Sequence, residues 1–198
     1  MDFLLEKCTL SVFDQNVSKK CKYFSCGDKD LDDFFCNDCH LYSEELLGKT
    51  YCFRLDSDED IIVCAFTLSN DSIKANFLPN GRKKKVTEDI PHVKQMKSYP
   101  AVLIGRLGVN QDFKGLKIGD SLMDFIKSWF IESSNKTGCR YIVVDSYNTE
   151  NALKYYTRNG FGFMFSTEDQ EREYTKDERE GELHTRLMYF DLIKLRGE

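Results

Sequence analysis

The segment from Ala101 to Leu122 constrains the fold more than any other part of the chain. An apolar, β-branched run over 101–109 leads into a short loop, and an apolar helical pattern begins directly after that loop. The loop contains Lys114, Gly115, Lys117 and Gly119. A strand, a glycine-containing turn and a helix start direct backbone N–H groups and the positive end of the helix at one point. The segment therefore predicts a cradle for a phosphate or pyrophosphate group.

This loop fits neither of two common phosphate-binding patterns. The P-loop pattern G-x-x-x-x-G-K-[ST] is absent, and so is the dinucleotide pattern G-x-G-x-x-G. Taken alone, the segment leaves open a structural alternative, in which Gly115 and Gly119 are ordinary turn and packing glycines.

A second segment, 148–161, helps to decide between the phosphate-binding and the structural interpretation of the loop. It follows a buried-strand pattern over 141–144, and Ala152, Tyr155, Tyr156 and Phe161 can line one helical face and its exit. Gly160 is placed to end this helix.

Together the two segments resemble the GNAT superfamily of acyl-CoA-dependent N-acyltransferases. The family's pyrophosphate loop, [QR]-x-x-G-x-[GA], aligns with 114–119, where Lys114 replaces Arg or Gln and Lys117 replaces the first glycine. The second motif has an Ala, a Tyr four residues on and a Gly-Phe pair after it. This motif is matched in full by Ala152, Tyr156, Gly160 and Phe161.

Two further stretches resemble one branch of that superfamily. Pro100 to Val109 looks like the strand before the loop in GNAT toxins of toxin–antitoxin pairs, which acetylate the amino group of aminoacyl-tRNA. The stretch from Phe24 to Phe35 looks like the entry of their first helix.

The length of 198 residues and the order of helices and strands predict one domain, 1–198, of mixed α/β (α+β) class. The resemblance implies a GNAT fold, with a mostly antiparallel mixed sheet of six to seven strands, splayed central strands and flanking helices. Strands are predicted at 9–13, 50–55, 61–68, 99–109, 140–146, 161–165 and 185–193. Helices are predicted at 28–47 (one helix, or two with a break), 116–134 and 149–159. A turn is predicted over 56–60, and irregular loop or short helices over 69–98.

Composition predicts a soluble, cytoplasmic protein, with 41% hydrophobic and 31% charged residues, no apolar run of bilayer length and no signal-peptide pattern at the N-terminus. The eight cysteines are expected to be reduced and mostly buried. Cys36, Cys39 and His40 spell a haem-attachment pattern. We reject haem because the context is not one of export, and zinc because the cysteine spacing is irregular. No metal is expected.

Two charged segments stand apart. The insert 167–183 holds eight acidic and three basic residues between Glu168 and Glu182, and is expected to be a solvated arm or loop, with a substrate gate or partner contact as the alternative. The basic run from Arg82 to Lys85 is expected to be a solvated turn. Its alternative role is a contact with the 3′-phosphate of CoA or with an RNA backbone.

The resemblance also implies the site. Pantetheine would lie where strand 99–109 splays from strand 140–146, a backbone N–H near Leu107 or Val109 would polarise the thioester carbonyl, and the loop would hold the pyrophosphate. The implied acetyl-CoA-binding residues are Leu107, Gly108, Val109, Lys114, Gly115, Leu116, Lys117, Ile118, Gly119, Asp120 and Asn151. Tyr156 would be the general acid for the leaving thiolate, since a phenol with a pKa of about 10 is protonated at neutral pH. Its structural alternative is a core aromatic on an amphipathic helix.

Strand 99–109 lacks an acid or histidine, where this family usually has its general base, and Arg106 is its only charged residue. Glu132 and Asp145 are the acids considered for that role. An α-amine, with a pKa of about 7.7–8.0, is partly neutral at pH 7, whereas a lysine amine at about 10.4 is not. The missing base therefore favours an α-amine acceptor.

Lys117 raises a conformational question, because glycine permits the positive φ that brings the loop backbone close to a phosphate. A non-glycine residue there costs roughly 1 kcal/mol or more. Either the turn differs locally or the charge of the lysine compensates by meeting the phosphate.

These observations predict transfer of an acetyl group from acetyl-CoA, used as co-substrate, to a primary amine by direct attack. The alternatives are a toxin that acetylates aminoacyl-tRNA, and a GNAT-fold module that binds acyl-CoA without efficient catalysis. The candidate binding partners are tRNA, an antitoxin and a second copy of the chain. No association with a membrane is expected.

Overall fold

The computed structural model describes residues 2–91 and 95–196. The α-helices are α1 (Phe3–Lys7), α2 (Gln15–Lys20), α3 (Lys29–Asp33), α4 (Cys39–Glu44), α5 (Asn80–Val86), α6 (Ile118–Ile131), α7 (Glu150–Arg158) and α8 (Glu168–Thr175). A π-helical turn, Phe34–Asp38, joins α3 to α4, and 3₁₀ turns span Ala75–Phe77, Gln111–Phe113 and Leu192–Leu195. The strands are β1 (Cys8–Val12), β2 (Lys49–Leu55), β3 (Asp58–Ile73), β4 (Tyr99–Val109), β5 (Tyr141–Tyr147), β6 (Gly162–Phe163) and β7 (Thr185–Asp191).

The seven strands follow the order β1-β2-β3-β4-β5-β7-β6 in one sheet. Antiparallel pairing joins β1 to β2, β2 to β3, β5 to β7 and β6 to β7. The mostly antiparallel, seven-stranded sheet with flanking helices confirms the predicted fold class. The splay of the central strands stays a prediction.

Contacts divide the chain into two compact units. Unit 1 comprises Met1–Ser69 and Ile104–Trp129, and unit 2 comprises Asn70–Leu103 and Phe130–Glu198. Each unit has its own core and is described separately. The prediction of one domain over 1–198 stays a prediction.

In unit 1 the alternation of side chains along β2 separates two apolar layers. Phe53 packs edge-on against Phe125 of α6 with ring centroids 5.1 Å apart, and Tyr51 packs against Trp129 of α6 at 5.0 Å. Cys52, which points to the other face, joins a buried cluster with Phe35 of the π-helical turn. The sheet of unit 1 therefore lies between α6 and the helical segment 29–44.

In unit 2 a buried aromatic cluster packs against one face of β5. Tyr141 is fully buried, and its ring lies 6.2 Å from that of Tyr99 and 6.0 Å from that of Tyr189. Its hydroxyl donates a hydrogen bond to the carbonyl of Val86 at 2.7 Å. That bond satisfies the only polar group of a buried phenol and fixes the end of α5 on the sheet.

The structure corrects the predictions for 56–60 and 69–98. The second hairpin strand is longer than expected, because β3 runs from Asp58 to Ile73 and includes residues predicted as turn and as loop. A 3₁₀ turn and helix α5 follow it, so the region 69–98 is irregular only in part. Residues 92–94 of this region lie outside the described residues.

The prediction that the acidic insert is solvated was wrong for its first half. Helix α8 begins there because the Thr167 hydroxyl caps it and three acidic residues favour the positive end of its dipole. Glu171 is only 2% exposed. Its carboxylate accepts hydrogen bonds from Arg186 Nε at 2.8 Å and from the Leu187 N–H. The insert is therefore attached to β7 by a buried charge pair.

The prediction of a solvated turn for the basic run was also wrong. These residues lie on α5, and Arg82 is partly buried. Its guanidinium donates to the carbonyls of Met164, at 2.7 Å, and of Phe163. Lys83, Lys84 and Lys85 are exposed.

The cysteines are all free thiols, as expected, but only half of them are buried. Cys8, Cys39, Cys52 and Cys64 are buried, and Cys36 is exposed on the π-helical turn. Burial raises the pKa of the Cys52 thiol to about 12 and that of Cys8 to about 11.

We predict that Glu171→Gln lowers the free energy of unfolding by about 2 kcal/mol at neutral pH, because Arg186 loses the charge of its buried partner. Urea denaturation at constant m-value measures this. Glu173→Gln, on the exposed side of the same helix, is the control and should change stability by less than about 0.5 kcal/mol. Equal effects of the two substitutions would contradict the assignment of the buried pair.

Candidate active site

Asn110 fixes the point at which β4 ends and the loop begins. It is buried, its backbone N–H donates to the Val63 carbonyl at 2.9 Å, and its Nδ2 donates to the Ile62 carbonyl at 2.9 Å. Its Oδ1 accepts from the Asp112 N–H at 3.1 Å, which starts the 3₁₀ turn. One amide side chain thus ties the loop to β3 and sets its direction.

The loop then passes through two left-handed residues. Gly115 has φ +88° and Lys117 has φ +56°. The turn therefore does not avoid the strained conformation, which a lysine adopts at a cost of roughly 1–2 kcal/mol. The sequence left two possibilities for Lys117: a locally different turn, or a charge that compensates for the strain by meeting the phosphate. The observed φ excludes a turn in which Lys117 avoids the strained conformation.

This conformation leaves backbone donors open at the start of α6. The Lys117 carbonyl accepts from Asp120 at 3.0 Å and from Ser121 at 3.1 Å, so Lys117 caps the helix. Within residues 2–91 and 95–196, the N–H groups of Gly115, Leu116 and Lys117 have no acceptor. The side chains of Lys114 and Lys117 are exposed and form no ion pair there. The arrangement suits an anion with several oxygens.

Further candidate residues of unit 1 lie directly before and after this loop. Leu107 and Val109 are half-buried on β4, and Gly108 between them is buried. A Cβ at Gly108 would lie 3.1 Å from the Cβ of Cys26, so only glycine fits there without displacement. Ile118 is buried in the first turn of α6, and Gly119 and Asp120 follow it.

The candidate residues of unit 2 lie on α7. The Thr149 hydroxyl caps the helix by accepting from the Ala152 N–H at 3.4 Å, and Asn151 is exposed in the first turn. Gly160 has φ +82° just after the helix, as the sequence predicts, and the Phe161 N–H donates to the Tyr156 carbonyl at 3.0 Å.

Tyr156 is only partly exposed and is surrounded by rings. Its ring lies 5.0 Å from that of Tyr155 and 5.4 Å from that of Phe161, and Phe161 packs on Phe190 at 5.7 Å. This apolar environment raises the pKa of Tyr156 to about 12, because burial disfavours the phenolate. The phenol is therefore protonated throughout the physiological range.

The predicted residues thus fall into two groups. The structure brings the β4 and loop residues together in unit 1, and it places Asn151 and Tyr156 on the same helix in unit 2. Within the described ranges, no group of three His, Cys, Asp or Glu side chains is arranged to hold a metal ion. None of the described helices is long and apolar enough to cross a membrane.

Sequence reasoning missed a cavity of about 300 Å³ in unit 2. Its lining residues are Asp145, Glu171, Thr175, Asp177, Arg179, Leu183, Thr185 and Leu187. Asp145, one of the two acids considered as a general base, is exposed on β5 and forms part of this wall. Glu132, the other acid, lies after α6 and accepts from the Ser134 hydroxyl at 3.2 Å. No sequence pattern signals the cavity, because it depends on how α8 packs on β7.

Solved structures resemble this chain closely in fold. A tyrosine-to-phenylalanine mutant of KacT matches with a TM-score of 0.70 and 16% identity, over 97% of this chain and 99% of that chain. AtaT in complex with acetyl-methionyl-tRNAfMet matches with a TM-score of 0.66 and 17% identity, over 96% and 97%. The chain has the GNAT fold.

A third GNAT structure is a mutant of the toxin AtaT bound to acetyl-CoA and to the C-terminus of the antitoxin AtaR. It matches with a TM-score of 0.60 and 15% identity, over 96% of this chain and 97% of that chain. No protein-family model and no curated protein matches the sequence. The predicted GNAT fold and its likeness to the toxin branch are confirmed, and at these identities the likeness is one of fold.

We predict that Gly160→Ala lowers the free energy of unfolding by about 2 kcal/mol. An alanine would hold φ +82°, and its Cβ would lie 3.1 Å from the Phe190 ring. The control is Gly138→Ala, where an added Cβ meets nothing within 4 Å and the expected change is below about 0.5 kcal/mol. Denaturant unfolding of both variants checks this, and a Gly160→Ala protein as stable as the wild type would contradict it.

Proposed function

We propose that the chain is an N-acetyltransferase that uses acetyl-CoA as co-substrate and acetylates the α-amine of aminoacyl-tRNA. The observation that carries the proposal is the left-handed loop at 115–117, which opens α6 with free N–H groups and two exposed lysines. The neighbours support the ligand and the acceptor, since AtaT structures contain acetyl-CoA and acetyl-methionyl-tRNAfMet.

The proposed role of the loop and β4 is to bind and orient acetyl-CoA. The pyrophosphate would accept hydrogen bonds from the loop backbone and meet the charge of Lys114 and Lys117. The backbone of β4 near Leu107 and Val109 would hold the pantetheine, and an N–H there would stabilise the oxyanion that forms when the amine attacks the thioester carbonyl.

In this proposal Tyr156 donates its proton to the departing thiolate. A pKa of about 12 keeps the proton on the phenol, although it also makes the phenol a weaker acid. An alkyl thiolate in an equally dry environment is destabilised to a similar degree, as the raised pKa of the buried Cys52 thiol illustrates. Proton transfer between two such groups is therefore better balanced than their pKa values in water suggest.

Two features favour the α-amine of an aminoacyl-tRNA as the acceptor: the absence of a base on β4 and the exposed lysines of α5. An α-amine that is partly neutral at pH 7 needs only a path for its proton, whereas a lysine side chain needs a base. The exposed lysines of α5, Lys83 to Lys85, are available to the phosphates of an RNA acceptor. An antitoxin partner and a homodimer remain part of the proposal, and AtaT bound to the C-terminus of its antitoxin AtaR supports the first of these.

The deciding experiment incubates the purified chain with acetyl-CoA and bulk aminoacyl-tRNA, and measures thiol release and blocked α-amines. Acetylated aminoacyl-tRNA supports the full proposal. Turnover with peptides or small amines alone keeps the enzyme and removes the tRNA acceptor. Binding of CoA without turnover of any amine would favour a GNAT-fold binding module instead.

We predict that Tyr156→Phe lowers kcat by about 10²- to 10³-fold, because the thiolate then leaves without a proton donor. The KM for acetyl-CoA should change by no more than about twofold, since the ring and its packing are kept. Because the phenol stays protonated, the wild-type rate should rise between about pH 6 and 9 with deprotonation of the amine and should not fall again. Steady-state kinetics across this range provide the measurement, with Tyr155→Phe as the control.

We predict that Lys117→Gln weakens CoA binding by about fivefold, because it keeps a side chain of similar length but removes the charge beside the phosphate. The loss should shrink at high salt, since exposed charges are screened. Calorimetric titration with CoA at two ionic strengths measures both effects. The control is Lys19→Gln, an exposed lysine on α2, and equal affinities of the two variants would remove Lys117 from the site.

A further inference from the structure

Arg106 lies on the face of β4 opposite to the side chains of Leu107 and Val109, the residues whose backbone is proposed to hold the pantetheine. The Arg106 guanidinium carbon lies 5.0 Å from the centre of the Phe34 ring, which places it beside the helical segment 29–44. Gly108, two residues on, approaches Cys26 on the same face. Because successive side chains of a strand alternate, Leu107 and Val109 point to the other face, towards α6.

The loop leads directly into α6, so an acyl-CoA anchored at the N-terminus of α6 lies on the α6 face of β4. An amine that attacks the thioester near Leu107 then has to arrive from the opposite face. Arg106 is the neighbour of Leu107 in sequence and stands on that face. The approaching acceptor therefore meets the guanidinium within one residue of the strand backbone that holds the thioester.

The guanidinium is held in place without being neutralised. Arg106 is exposed, and its Nη1 donates to the carbonyl of Gly105 at 2.8 Å. In the part of the chain that the structure describes, no carboxylate pairs with it. The Phe34 ring beneath it is buried and packs edge-on against Phe35 at 5.5 Å and Tyr42 at 5.4 Å, which makes a rigid platform.

A fixed, unpaired guanidinium discriminates between amines by charge. It repels an ammonium group, so it disfavours polyamines and lysine side chains and favours the neutral form of an amine held beside it. Its remaining donors form a planar fork that matches two oxygens of a phosphate. An acceptor that carries a phosphate near its amine gains from both effects.

We propose that Arg106 is a specificity-determining residue that selects amine acceptors with a phosphate ester close to the reactive amine. This inference rests on the proposed function, and it names the part of the acceptor that the enzyme reads: the terminal aminoacylated nucleotide rather than the amino acid side chain. The chemistry of the transfer is unchanged, and Arg106 acts on which acceptor binds.

The test compares two acceptors that differ only in a phosphate. Puromycin is a nucleoside that bears an aminoacyl group with a free α-amine, joined through a stable amide. Puromycin 5′-phosphate is the same compound with an added negative phosphate. We expect the wild type to prefer the phosphate form by about tenfold in kcat/KM, as one charged hydrogen-bonded contact implies. Arg106→Gln should reduce that preference to about one, chiefly by raising the KM for the phosphate form, and Arg106→Lys should keep part of it.

The control Lys29→Gln removes a positive charge from an exposed position at the start of the same helical segment, and should leave the preference unchanged. Matched thermal unfolding of the variants shows that Arg106→Gln folds. Equal use of both acceptors by the wild type, or a preference that survives in Arg106→Gln, overturns the role of Arg106. Absence of turnover by the wild type with every acceptor, aminoacyl-tRNA included, overturns the proposed function itself.

Discussion

The hydrogen bonds of Asn110 are the constraint on which the candidate site depends. A buried amide that failed to pair would cost free energy, so the contacts to the carbonyls of Ile62 and Val63 fix the end of β4 against β3. Because this end is fixed, the loop has to turn within a few residues to reach α6. That geometric demand explains why Gly115 and even Lys117 adopt left-handed backbone conformations.

Unit 2 is held by a different kind of interaction, namely charge pairs away from water. Arg140 Nη2 lies 2.8 Å from a carboxylate oxygen of Asp191, which joins the start of β5 to the end of β7. Glu171 and Arg186 join α8 to β7 in a similar way. Such pairs add little net stability when complete, but losing one member leaves a buried charge, so they fix which elements pack together.

The sequence predicted the parts of the structure in which local pattern and tertiary role agree. Short motifs mark the loop at 114–119 and the helix that ends just before Gly160, and apolar runs mark the central strands. The predictions from the sequence failed where contacts with residues far away in the chain determine the local structure. Arg82 is held by carbonyls about eighty residues away, and Glu171 is buried because of Arg186, which no local charge pattern reveals. The polar residues 70–72 extend β3 although they break the apolar alternation.

The burial of most thiols leaves Cys36 as the most accessible site for chemical labelling. Thiolate is the form that reacts with alkylating reagents, and burial makes it scarce at Cys8, Cys39 and Cys52, whose pKa values are raised to about 11 or 12. Cys36 alone among the eight cysteines is exposed. Partial desolvation and the nearby carboxylates of Asp32 and Asp33 raise the pKa of its thiol as well, so its accessibility and not its acidity sets it apart. It stands in the same π-helical turn as Phe34, the platform of Arg106. A maleimide dye would therefore reach Cys36 before the buried thiols, and its emission would report on whatever binds beside Arg106 on that face of β4.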